Sequence, residues 1–422
     1  MKILILQDDF PPKSFGGAEN IVFNLVKKLK KRGEDVLVVT TTQNKNEEGK
    51  IEYEGLKIHR IYSDYHSRWR AYISLYNPYV IQKVKKIISD FNPDVIHANN
   101  IHYHISYSAL KIAKNSGVKV ILTAHDAMLF HYWKFTEYIN PKDTACDLNF
   151  NYKISPWTQL KVHKRRYNPF RNIIIRYYLR YCDNIYAVSN ELKKALEQNK
   201  IKNVEVIHNG IDTNIWTPQV AVKGLSSWNK VDGGETLKSN FNLTDKKIVL
   251  QVGKSGWRKG SVQIIKIMNT VKDFIPQSVL VIASKRDAYE EEMQRIADKF
   301  GVEIVFTGWL DESDLRAMYS ISDVVVFPSV CFDTFGMVNI EAMAMEKPVV
   351  ATCFGGSREI VEDGVTGYIR NPYDTNSFAQ AIIGLLEFPE KAREFGKNGR
   401  MRVVNNFTLE KQVEKYMSIY EN

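Results

Sequence analysis

The sequence predicts an α/β protein of two tandem domains, each a doubly wound parallel sheet. Three observations carry this reading. At 422 residues the chain exceeds the size at which a single hydrophobic core stops growing. Short apolar, β-branched runs alternate with helix-period stretches, and the series occurs twice. Between the two series, KGLSSWNKVDGGETLKSN (223–240) clusters Gly, Ser and Asn with no apolar face, as a boundary would. The domains are therefore placed at 1–215 and 246–395, with a linker over 216–245 and C-terminal helices over 396–422.

The first series opens with KILILQ (2–7), a buried strand. A helix follows in which Ile21, Val22, Leu25, Val26 and Leu29 recur at the 3.6-residue period, and Gly33 closes it. Then come the strand DVLVVTT, the strand DVIHANN (94–100), a helix near 105–116, and the strands KVILTAHD (119–126) and NIYAVSN (184–190). The second series has strands at KIVLQVG (247–253), SVLVIAS (278–284), VEIVFTG (302–308), DVVVFPS (323–329) and PVVAT (348–352), each leading into a helical stretch. From Phe388 the pattern is helical to the end. Ligands in such sheets bind beyond the carboxyl ends of the strands, so the cleft between two of them is the expected active site.

Composition narrows the class. Hydrophobic content of 44% and charged content of 25% are those of a soluble globular chain. MKILIL runs straight into a polar QDD, so no signal peptide is expected, and no apolar run approaches membrane-spanning length. Cys146, Cys182, Cys331 and Cys353 form no CxxC or metal-ligand spacing, which suits a reducing cytosol. The expected location is cytoplasmic, with peripheral contact at the inner face of a membrane.

Charge is uneven. Residues 1–215 hold 33 Lys and Arg against 21 acids, and the remainder 25 against 27. The excess peaks in NYKISPWTQLKVHKRRYNPFRNIIIRYYLRY (151–181), with eight cations, no acid and seven aromatics. Three readings fit: a solvated helix whose aromatics pack on the core, an anionic-membrane or lipid-linked-substrate surface, or single-stranded nucleic acid. No nucleic-acid motif supports the third, and no nucleic-acid partner is expected.

Three loops hold chemistry. In FPPKSFGGAEN (10–20), Gly16 and Gly17 at a helix start let backbone amides approach a phosphate; the spacing is neither GxGxxG nor a P-loop. In GKSGWRKG (253–260), Lys254, Arg258 and Lys259 project from a strand end and can neutralise a diphosphate; as solvated loop charges they would mean nothing. FDTFGMVNIEAMA (332–344) places Asp333 before a glycine turn and Glu341 inside the helix that follows. Free amides around Phe335, Gly336 and Met337 would face an anion there. Glu341, beside apolar Ile340 and Met343, needs hydrogen-bonding partners such as sugar hydroxyls.

Together the PPxxxGGAEN loop, HNGID at the domain joint, the basic loop ending KG, the two acids followed by AMA, and GGSREIVEDGVTGYI (355–369) resemble the family 4 glycosyltransferases of the GT-B fold, over essentially the whole chain in order. That resemblance implies two Rossmann-like domains and a retaining enzyme that moves a hexose-type sugar from a UDP- or GDP-sugar to a glycan or lipid-linked acceptor in cell-surface polysaccharide synthesis. It implies no metal and no cofactor beyond the nucleotide sugar. Lys259, with Arg258 or Lys254 and the helix start at Gly336, would meet the leaving diphosphate. Glu341 matches the ribose-binding glutamate, Asp333 the first acid near the donor sugar, and His125 the histidine that contacts that sugar; Asp126 would orient it or bind acceptor. Phe335, Gly336 and Met337 would offer backbone groups, and Gly16 and Gly17 donor contacts. His97 is structural or acceptor-side, and Glu359 a helix-start carboxylate or a donor contact.

The chain departs from the family pattern twice. The first acid is usually Glu, and Asp333 falls short by about one C–C bond, ~1.5 Å. Lys254 stands where Arg is common, which removes a bidentate fork. No residue stands out as a nucleophile, which favours same-face attack guided by the leaving phosphate. Other readings are a nucleotide-sugar epimerase or phosphorylase of the same fold, and a catalytically inactive sugar-nucleotide binder, which the shorter Asp333 keeps open.

Overall fold

A computed structural model describes residues 1–146, 149–218, 233–285 and 288–422. The chain forms two compact units, one of residues 1–135, 151–210 and 409–422, the other of 136–150 and 211–408. Of the expected linker 216–245, residues 219–232 lie outside the described residues.

The first unit is built on eight strands: β1 (Lys2–Leu6), β2 (Asp35–Thr42), β3 (Gly49–Tyr53), β4 (Leu56–Tyr62), β5 (Val95–Ala98), β6 (Lys119–Ala124), β7 (Asn184–Ala187) and β8 (Val204–Val206). Their order is β3-β4-β2-β1-β5-β6-β7-β8, parallel throughout except for β3 against β4. That edge hairpin was not among the expected strands. It turns on Glu54 and Gly55, both at positive φ, the two-residue loop that matches strand twist.

The helix Gly17–Lys31 buries Ile21, Val22, Leu25, Val26 and Leu29, as its periodicity requires. The final helix, Leu409–Glu421, packs beside it and places Leu409, Val413, Tyr416 and Tyr420 in the same core as Ile3, Ile5 and Val26. Each such side chain contributes on the order of 1.5–3 kcal/mol by leaving water. The helix Pro389–Asn406, which the sequence grouped with it, belongs to the second unit.

The second unit contains β9 (Lys247–Val252), β10 (Ser278–Ala283), β11 (Ile304–Phe306), β12 (Val324–Phe327), β13 (Val349–Thr352) and β14 (Gly367–Arg370), all parallel, in the order β11-β10-β9-β12-β13-β14. Strand order reverses between β9 and β12 here, and between β1 and β5 in the first unit. Such reversals open a crevice at the carboxyl ends of the two strands. An excursion from the first series, residues 136–150, joins this unit. Tyr138 meets Phe332 and Phe354 edge-on at 5.8 and 6.2 Å, and the Asn371 amide donates to the carbonyls of Asp143 and Ala145. Among the described residues no helix is long and apolar enough to cross a membrane.

Candidate active site

The reversal between β9 and β12 brings together most of the candidate residues of the second unit. The loop after β9 and the chain after β12 meet backbone to backbone. A Cβ on Gly260, whose φ is +76°, would lie 1.9 Å from the Pro328 carbonyl oxygen. The Val330 amide donates to the Arg258 carbonyl at 2.9 Å, and the Gln251 side chain donates to the Lys259 carbonyl at 3.1 Å.

So held, Lys259 sets its ammonium 2.5 Å from Oδ2 of Asp333. Burial pulls its pKa down, but the Asp333 carboxylate outweighs this and the net shift is upward. Of the three expected cations, only Lys259 enters this pair. The Arg258 guanidinium lies over the Trp257 ring at 4.4 Å, and Lys254 is exposed on the loop.

Asp333 is positioned from behind by the GGSREI stretch. The Gly356 amide donates to the Asp333 carbonyl at 2.8 Å. A Cβ on Gly355, at φ +80°, would lie 2.0 Å from that same oxygen. The helix Met337–Ala344 begins at Gly336 with no side-chain cap, leaving its first amides for another acceptor. The Phe335 ring is buried edge-on to Phe407, so what Phe335 offers a ligand is backbone.

On the same helix, Oε2 of Glu341 accepts from the Tyr319 hydroxyl at 2.8 Å. Burial raises the Glu341 carboxyl to about 7, with Tyr319 opposing. Tyr319 is fully buried and had no signal in the sequence. Glu359 lies in the short helix Ser357–Ile360, and its carbonyl accepts from Arg402 at 3.0 Å.

In the first unit, Asp8 bridges the strand reversal. Its carboxylate accepts the amides of Tyr103, His104 and Ile105 at 2.6, 2.9 and 2.7 Å, fastening the loop after β5 to the end of β1. Burial pushes its pKa to about 7 against those three bonds. In that loop Asn99 meets His125, with Oδ1 2.9 Å from Nε2. Burial pulls His125 to about 4, Asp126 opposing, so the ring is neutral at physiological pH. An amide oxygen only accepts, so the ring proton sits on Nε2. Asp126 caps the Met128 amide through Oδ1 and lies 3.5 Å from Nε2 of His102 through Oδ2.

His97 belongs to the interior, its ring nitrogens bonded to the hydroxyls of Tyr420 and Thr123 at 2.7 and 2.8 Å. At the start of the helix Gly17–Lys31, the Glu19 carboxylate folds back against Gly16, 2.2 Å from where a Cβ would stand. The expected amide cradle at Gly16 and Gly17 thus faces a carboxylate, whose own pKa burial raises. Asp8 and Asn99 follow strand ends, the one signal that could have singled them out; Glu19 and His102 had no distinguishing pattern.

Comparison with known proteins agrees with this organisation. Residues 15–215 match the family described as glycosyltransferase family 4, and residues 234–402 the family described as glycosyl transferases group 1. The α-maltose-1-phosphate synthase of Mycolicibacterium smegmatis is 26% identical, over 100% of this chain and 99% of its own. Among solved structures, sucrose-phosphate synthase from Thermosynechococcus elongatus superposes with a TM-score of 0.75 at 22% identity, covering 100% of this chain and 98% of that one. Anabaena HepE in complex with UDP-glucose superposes at 0.69 with 18% identity, covering 99% of each. The chain belongs to the family 4 glycosyltransferases of the GT-B fold.

Proposed function

We propose that this glycosyltransferase retains anomeric configuration and moves a hexose-type sugar from a UDP- or GDP-sugar to a glycan or lipid-linked acceptor in cell-surface polysaccharide synthesis, without a metal ion. The observation that carries the donor half is the Lys259 ammonium, fixed on Asp333 beside the uncapped helix start at Gly336. A cation and free helix amides at one strand reversal form an anion seat suited to a diphosphate. HepE, which shares the fold, has been seen with UDP-glucose.

In this reading the second unit binds the donor. Lys259 and the amides from Gly336 onward receive the charge that develops on the leaving diphosphate, the step where electrostatic stabilisation contributes most. Because the ammonium is already bound to a carboxylate, it stays protonated through the cycle. The Glu341 carboxylate accepts the ribose hydroxyls, with Tyr319 holding its other contact. Neutral His125, its proton fixed on Nε2 by Asn99, presents Nδ1 as an acceptor toward a sugar hydroxyl. Asp333 is engaged by Lys259, which lowers its nucleophilicity and favours same-face attack guided by the leaving phosphate.

A panel of UDP- and GDP-sugars tested by thermal shift, followed by transfer assays in chelator with the product anomer read by NMR, checks this. Expected are a shift with one nucleotide series, turnover in chelator and a retained anomeric centre. Loss of turnover in chelator, restored by a divalent ion, would remove the metal-free step. A covalent glycosyl-enzyme would remove same-face attack. The shorter Asp333 favours one rival, an inactive binder, which would show the shift and no transfer.

A further inference from the structure

The segment 151–181 of the first unit mixes polar and apolar groups on its buried face: Gln159, Asn168, Arg171 and Asn172 are each less than a tenth exposed, beside buried Tyr152, Tyr167, Ile175 and Leu179. Both of its helices are tied to one carbonyl. The Gln159 amide donates to the Phe130 oxygen at 3.0 Å from the helix Pro156–His163, and the Asn172 amide donates to it at 2.7 Å from the helix Arg171–Leu179. The Arg171 guanidinium, fully buried, donates to the Met128 carbonyl.

The outer side exposes large apolar groups. Trp157 is 72% exposed, Phe170 67%, Ile173 58% and Val162 53%. Phe170, Ile173 and Tyr177 follow each other at i, i+3 and i+7, one stripe opposite the buried Arg171, Asn172, Ile175 and Leu179. Large apolar groups turned outward while amides and a guanidinium are held within oppose the hydrophobic effect in water, and exposed patches of this kind mark contact surfaces.

Charge decides the partner. Lys161, Lys164, Arg165, Arg166 and Arg180 of the same segment are exposed, and residues 151–181 contain no acid. We infer that this face docks on an anionic phospholipid membrane, with Trp157, Phe170, Ile173 and Val162 entering the interface and the cations meeting lipid phosphates. Aromatics among cations also suit single-stranded nucleic acid. But Val162 and Ile173 have no π face for a base to stack on, whereas hydrocarbon accepts them. The inference rests on this face alone and not on the sugar-transfer reading.

The test is co-sedimentation of the full chain with vesicles of phosphatidylcholine, with and without phosphatidylglycerol, at low and high salt. Binding is expected only with phosphatidylglycerol, weakening as salt rises. Arg165→Gln with Arg166→Gln should weaken it about fivefold per cation removed. Trp157→Ser with Phe170→Ser should weaken it about tenfold or more. These side chains are exposed, so both variants should keep the wild-type melting temperature and the nucleotide-sugar thermal shift, which separates this result from failure of the proposed function. The inference is overturned if the chain stays in the supernatant with anionic vesicles at low salt. It is equally overturned if both variants bind like wild type, or if the chain binds a single-stranded oligonucleotide and no vesicle.

Discussion

The hydroxyl of Tyr319 donates to Oε2 of Glu341 at 2.8 Å, joining the helix Glu312–Ile321 to the helix Met337–Ala344. Its effect is on ionisation. Burial holds Glu341 at about 7 in the folded chain, against an ordinary 4.5. Between those values the unfolded chain is ionised while the folded one keeps its proton, so this group's contribution to stability is present below about pH 4.5 and lost as pH rises toward 7. Glu341→Gln removes that dependence. The variant's melting temperature, relative to wild type, should therefore rise from pH 5 to pH 8. A difference that stays flat would contradict the raised pKa.

Ribose hydroxyls donate best to an ionised carboxylate, so nucleotide binding should draw a proton off Glu341. Below pH 7 the affinity for UDP or GDP should fall, at most about tenfold per unit. Calorimetry at pH 6 in two buffers of different ionisation enthalpy should show proton release by wild type and none by Glu341→Gln. Proton uptake would place the ribose elsewhere.

Lys259 and Asp333 should separate binding from chemistry. Lys259→Ala removes the charge that meets the leaving diphosphate, and turnover should drop about 10²–10³-fold. Asp333→Asn frees the ammonium for the nucleotide. Affinity for UDP or GDP should hold or tighten while kcat falls, which steady-state kinetics beside calorimetry would resolve. Equal losses in affinity and kcat would make Asp333 a binding group only.

Gly260 and Gly117 make a controlled pair, since both have positive φ, at +76° and +82°. An added Cβ at Gly260 meets the Pro328 carbonyl at 1.9 Å, while at Gly117 it meets nothing within 4 Å. Gly117→Ala should lose only the backbone strain, about 1 kcal/mol. Gly260→Ala should lose a further ~1–3 kcal/mol from overpacking, with the loops after β9 and β12 forced apart. Urea denaturation measures both. Equal losses would show that the two loops can separate freely.

Asn99→Asp tests the His125 pair. A carboxylate 2.9 Å from Nε2 would favour the imidazolium and raise its pKa from about 4. The pH–rate profile should then gain an acid limb nearer neutrality, with activity recovering at higher pH. A profile superimposable on wild type would leave His125 without a role in turnover.

The strand–helix alternation was readable along the chain because apolar spacing is a local property. The strands beginning KILIL, KIVLQV and VVVF are buried on both faces and read as continuous apolar runs. The β3–β4 hairpin was not readable, because GKIEY lies on a half-exposed edge and lacks such a run. In the segment 151–181, composition alone could not say which polar side chains turn inward; the Phe130 and Met128 carbonyls draw in Gln159, Asn172 and Arg171.

The amino-acid order was enough to fix two doubly wound units and to single out the loops of the candidate site, since periodicity, turn glycines and short motifs act over a few neighbours. Packing alone settled that Lys259, and neither Lys254 nor Arg258, is the cation on Asp333. It also settled that Glu341 keeps its proton to about 7 and that Asn99 sets the proton on His125. Those outcomes turn on burial and on partners distant in the chain, 74 residues away for Lys259 and 22 for Glu341, and the electrostatics of a group are set by what surrounds it in space.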